Sequence, residues 1–157
     1  LEKISNSSRP ELKLSFTVKN NAGTLKDSSS GAGGIFRFSE KEGVKTISFL
    51  LDRKNYKKVS GAFAFDDNPV LAGLTPQVDN PYTEEEYLEL VDYVFAEYSP
   101  DAGKMVKESS VDVEINVKGK ILRADGGKYS GSKAVFNVPV LKFLTLEKPV
   151  MLEIEYR

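Results

Sequence analysis

Hydrophobic and polar residues alternate with a period of two in three stretches of the chain, the pattern of strands buried on one face. From Glu11 to Lys19, Leu12, Leu14, Phe16 and Val18 share one side. From Val111 to Lys118, Val111, Val113, Ile115 and Val117 oppose Asp112, Glu114, Asn116 and Lys118. At the end, Val150, Leu152, Ile154 and Tyr156 alternate with Met151, Glu153, Glu155 and Arg157. One-sided burial belongs to antiparallel sheets, because parallel sheets are covered on both faces.

Shorter segments fill the gaps. Ile35 to Ser39 and Val44 to Leu51 flank Glu40-Lys41-Glu42-Gly43 and predict a hairpin. Val59 to Phe65 predicts a strand with Val59, Gly61, Phe63 and Phe65 on one face. Lys118-Gly119 is expected to turn the chain from the Val111 strand into Lys120 to Ala124, and Asp125-Gly126-Gly127 is a second turn. Lys133 to Val138 predicts a short strand that ends at Pro139 or lies at a sheet edge, because Pro139 has no N–H to give to a ladder.

One segment has the helical period instead. Thr83-Glu84-Glu85-Glu86 is a capping box, and Tyr87, Leu90, Val91, Val94, Phe95 and Tyr98 follow at spacings of three and four before Pro100. This predicts a helix at about 84–98, the only helix the pattern supports. The expected fold class is mainly β: an antiparallel β-sandwich, immunoglobulin-like or related, with one inserted amphipathic helix. The alternative is an α+β arrangement with the helix packed on one sheet. Residues 1–9 read as a polar, flexible tether and residues 10–157 as a single β-rich domain. The connections Asn20–Gly34 and Asp66–Tyr82 are long enough to carry function.

Composition narrows the chemistry. The 157 residues can bury a core without staples, and there is neither Cys nor His among them. A thiolate nucleophile, a Ser-His-Asp triad and the usual zinc and haem ligands are therefore excluded. Trp, one common sugar-stacking platform, is absent too. The expectation is no cofactor and no enzyme. No apolar run reaches the roughly 20 residues that span a bilayer. The chain begins at Leu1, so a leader or lipid anchor ahead of the polar stretch Ser5–Pro10 could tether it to a membrane. The expected location is extracytoplasmic, either periplasmic or at the cell surface.

A net charge of −1 conceals a segregation. No Lys or Arg occurs between Lys58 and Lys104, and that interval holds ten of the 23 acidic residues. The remaining 13 acidic residues stand against 22 basic ones, so −10 there faces +9 elsewhere. Such runs are usually solvated surface. The functional reading is an acidic patch that steers a basic partner or holds a cation.

Calcium is the cation to consider, since it takes six to eight oxygen ligands. Asp66, Asp67 and Asp79 bracket one loop and are its weak candidates, without an EF-hand pattern. The stretch Ser28–Gly34 lacks the Lys-Ser/Thr end of a phosphate loop and reads as a flexible connection. Ser130, Ser132 and Lys133 form a Ser-Lys pair only on paper. Arg53, Lys54, Lys57 and Lys58 around Tyr56 resemble a nucleic-acid surface in composition, but a pI of about 5.7 argues against that role.

The loop Pro69–Pro76 is apolar for a connection and either caps the core or docks a partner. The reading carried forward is a non-enzymatic binding or structural module, exported or envelope-associated, with another protein as partner and no nucleic acid. Its contact surface would use Leu71 and Leu74 as apolar contacts and Glu85, Glu89 and Asp92 as a charged fringe. The alternative is a small-ligand or carbohydrate-binding β-sandwich carrier, which requires a deep apolar cavity lined by Phe63, Phe65 or Phe136.

Overall fold

A computed structural model describes residues 35–57 and 72–157. The tether 1–9, the strands expected at 11–19 and 59–65, the Gly/Ser stretch 28–34, Lys58, Asp66, Asp67 and Leu71 lie outside these residues.

The described residues form two antiparallel sheets. The first contains β1 (Phe36–Lys41), β2 (Val44–Leu51), β4 (Ile121–Asp125) and β7 (Val150–Tyr156), in the order β1-β2-β7-β4. The second contains β3 (Ser110–Asn116), β5 (Lys128–Ser130) and β6 (Lys133–Pro139), in the order β3-β6-β5. On β3 and β7 the alternation that predicted the strand is the alternation that buries it, whereas β5 lies in a stretch not expected to form a strand. Val150, Leu152 and Ile154 are buried on β7 while Met151 between them is 68% exposed. On β3 the half-buried Val111, Val113 and Ile115 alternate with exposed neighbours. Glu42 and Gly43 both have positive φ, 54° and 74°, which matches the twist of the β1–β2 hairpin and tightens the expected four-residue turn to two.

Lys118-Gly119 turns the chain as expected, but not into a hairpin. β3 pairs with β6, and β4 pairs with β7 in the other sheet. The connection crosses from sheet to sheet, and so does Gly126-Gly127 between β4 and β5. The crossings are stitched by main-chain bonds, Ile121 N–H to Gly131 O at 2.8 Å and Val117 N–H to Ser132 O at 2.9 Å. Both sheets feed one apolar cluster, including Ile35, Leu51, Ile121, Phe136, Leu152 and Ile154. Fully burying such a side chain is worth about 1.5–3 kcal/mol. Gly127 lies against the Phe136 ring, where a Cβ would come within 2.7 Å of its carbons.

The expectation of a single helix is corrected. Three helices lie among the described residues: α1 (Glu84–Phe95), α2 (Ala102–Glu108) and α3 (Val140–Thr145). α1 stops three residues short of the expected Tyr98. The other two escape periodicity because they are short. α2 has seven residues, includes Gly103 and has no side-chain cap. α3 has six residues after Pro139 and shows no polar face, so Val140-Leu141-Lys142-Phe143-Leu144 reads as well as a strand. The helices pack on one another around a second cluster of Leu74, Tyr87, Val91, Ala102 and Leu141. α1 therefore belongs to a helical layer, attached mainly through α3, which follows β6 directly and packs against β3 and β6.

Candidate functional site

The capping box that starts α1 is formed in full. Thr83 N–H donates to Glu86 Oε2 at 2.8 Å, and Glu86 N–H donates to Thr83 Oγ1 at 3.2 Å. The Thr83 backbone N–H, and secondarily its hydroxyl, hold the Glu86 carboxyl below the usual carboxylate range. Another first-turn N–H, that of Glu84, donates to Glu147 Oε2 at 3.2 Å. Glu147 is itself fixed, because Arg53 donates to the Leu146 and Glu147 carbonyls at 2.9 and 3.2 Å. Arg53, the densest point of the basic run, thus ties the first sheet to the helical layer. Tyr56 beside it is 9% exposed, so its ring is not available for stacking on a base.

Tyr87 and Val91 turn inward, which points the positions half a turn away at solvent. Glu85, Glu89 and Asp92 are related by four and three residues, share that outer face and are exposed. The expected fringe is therefore brought together on one helix face. Tyr93 stands beside it, four residues after Glu89 and 82% exposed; the pattern analysis passed over it because an aromatic on a helix is normally assigned to the core.

Two expected contact residues behave differently from the rest. Leu74 is 9% exposed within the helical cluster, and its carbonyl accepts a 2.8 Å bond from the Tyr87 hydroxyl. It packs the core rather than presenting an apolar surface. Burial, and secondarily the neighbouring Tyr56 phenol, raises the Tyr87 pKa well above the usual tyrosine value, so the hydroxyl stays a neutral donor. Asp92 is exposed, yet its Oδ1 accepts the Gly103 N–H at 2.7 Å and anchors the start of α2. A Cβ at Gly103 would lie 2.6 Å from that carboxylate, so a larger residue there would push the Asp92 side chain aside.

Of the calcium candidates, Asp79 is exposed, and among the described residues no three Asp or Glu groups converge on a metal-sized space. Ser130 and Lys133 are cross-strand partners on an exposed hairpin, and Lys133 is ion-paired with Glu114. An open, shallow cleft of about 430 Å³ lies between the start of α1, the end of α2 and the start of α3; Glu84, Glu85, Lys107 and Lys142 rim it over Leu88 and Leu141. Phe136 lines no such space, being 1% exposed inside the sheet core. Among the described residues no helix is long and apolar enough to cross a membrane.

No family model matches the chain, and no similar curated protein or solved structure was found.

Proposed function

We propose that the protein is a non-enzymatic binding module that contacts a basic protein partner through the outer face of α1. The observation that supports this best is the face itself. Glu85, Glu89 and Tyr93 stand together in water, and among the described residues no Lys or Arg pairs with either carboxylate. Steering by unpaired charge around an exposed Tyr suits recognition, since tyrosines are enriched where interfaces gain their energy. Leu74 drops out of the proposed surface, and Asp92 remains only as a flanking charge already committed to Gly103. An exported or envelope-associated setting belongs to the same proposal, to be tested by fractionating cells that express the full-length gene. We also read the two sheets as the halves of a sandwich, on the strength of their shared core. The carrier alternative has less behind it, since Phe136 is packed against Gly127.

The test is titration with a fluorescent oligolysine peptide. The double variant E85K/E89K should lose about tenfold or more in affinity, roughly 1.4 kcal/mol. The control E40K/E42K, which reverses two acids of the β1–β2 hairpin, should bind as the wild type does. Equal losses in both variants would contradict a localised face.

A further inference from the structure

Strand register brings together a set of cations that the sequence scatters. Lys45 pairs with Tyr156 across β2 and β7, and Ile121 pairs with Tyr156 across β4 and β7. Lys120 and Arg157 exchange two main-chain hydrogen bonds, of 2.7 and 3.0 Å. Lys41 closes the β1 side of the same hairpin as Lys45, and Lys118 is joined to Lys120 through Gly119. Adjacent strands lie about 4.8 Å apart, so these five cations span one end of the first sheet within about 15 Å. Glu40 and Glu42 are the carboxylates of that end, and Lys133 with Glu114 forms a neutral pair beside it. The balance is positive.

This end is opposite the helices. α2 leads into Ser110 and α3 leaves Pro139, which are register partners at one end of β3 and β6; Asn116 and Lys133 are partners at the other. Seven residues of strand separate the two ends by about 20 Å. The three helices carry six acidic residues against Lys104, Lys107 and Lys142, a balance of −3, so the molecule has an acidic helical pole and a basic strand-turn pole. Each pole carries exposed apolar surface. Tyr93 stands at the acidic one, and Leu122, 40% exposed, accepts a bond from Tyr129, 49% exposed, beside the basic one.

We infer that the partner of the acidic α1 face is a second copy of this chain, docked through the strand-turn end that carries Lys118, Lys120 and Arg157. The inference rests on the proposed contact role of α1 and names its occupant. Charge complementarity between the two poles is its ground, and a net charge of −1 leaves little overall repulsion between copies. Because the two surfaces differ, the contact is head-to-tail and propagates into open chains or closes into a ring.

Sedimentation velocity tests it across a salt series from about 0.01 M to about 1 M, over which the screening length falls from roughly 30 Å to roughly 3 Å. The wild type should form concentration-dependent oligomers at low salt and dissociate at high salt. E85K/E89K and K118E/K120E, each checked for an unchanged thermal melt, should be monomeric alone. Mixed in equal amounts they should assemble again, because each then offers the other complementary faces. If K118E/K120E fails the melt control, K41E/K120E serves in its place. A wild type that stays monomeric at low salt overturns the inference, whether the basic end then takes a polyanion or nothing. Assembly by either variant alone overturns it too. If the wild type is monomeric but still binds oligolysine through Glu85 and Glu89, self-docking fails and the contact role of α1 stands. If it does neither, both fail.

Discussion

The sheets and the helical layer are held together by different means. The sheet cluster is large and apolar, with Ile154 and Ala134 fully buried and Phe136 and Ile121 nearly so. The helical cluster is smaller and is pinned by polar contacts at its margins: Tyr87 to Leu74, Asp92 to Gly103, Thr83 with Glu86, and Glu84 to Glu147. The strands carry polar side-chain contacts too, Ser48 to Glu153 and Arg123 to Glu153 and Glu155, but on the face away from Leu152 and Ile154, whereas the polar contacts of the helical layer join one short helix to the next or to the segment beside it. The difference also separates support from display. Apart from Asp92, which anchors α2 from the outer face, α1 is held through groups on its inner side and its start, and that leaves Glu85 and Glu89 free to carry charge.

Emptying the sheet core should be the most damaging change. Phe136→Ala should cost about 3–5 kcal/mol in chemical denaturation, because it leaves a cavity between two sheets that cannot collapse. A loss below about 1 kcal/mol would mean that the two sheets are not packed as one core. Next comes the helical layer's buried peg. Tyr87→Phe keeps the ring but leaves the Leu74 carbonyl without its donor, and should cost about 1–3 kcal/mol. Thr83→Ala removes half of the capping box and should cost about 1 kcal/mol.

The smallest effect is pH-dependent. Glu86 has a folded pKa below the ordinary glutamate value of 4.5, so its contribution is present above that value and disappears as pH falls through the lower folded one. Glu86→Gln should therefore lower stability slightly in the neutral region, and the two stability profiles should converge as pH falls below about 4.5. An identical acid limb in both proteins would remove Glu86 from the account.

How much of this the sequence disclosed depends on how local the cause is. β3 and β7 lie where the alternation placed them, because each side chain's face is fixed by its parity. The α1 cap was equally legible, as its partners are three residues apart. The pairing of β3 with β6 instead of β4 was not, because a turn dipeptide does not say which sheet the next strand joins. The site divides in the same way. Glu85 and Glu89 share a face by helical spacing alone, while the role of Asp92 depends on an N–H eleven residues on and the inward turn of Leu74 on the Tyr87 hydroxyl. The basic end was invisible for the same reason, since its cations come from separate stretches that only strand register unites.

Residue-resolved NMR mapping of the wild type on adding the oligolysine probe, at the lowest salt at which the wild type sediments as a monomer, decides whether α1 is the contact face. The account predicts amide shifts concentrated at Glu85, Glu89 and Tyr93, with little change at Glu40 and Glu42, and their loss in E85K/E89K. Shifts spread evenly over the acidic side chains of both regions, or centred on the outer face of β7, would contradict it.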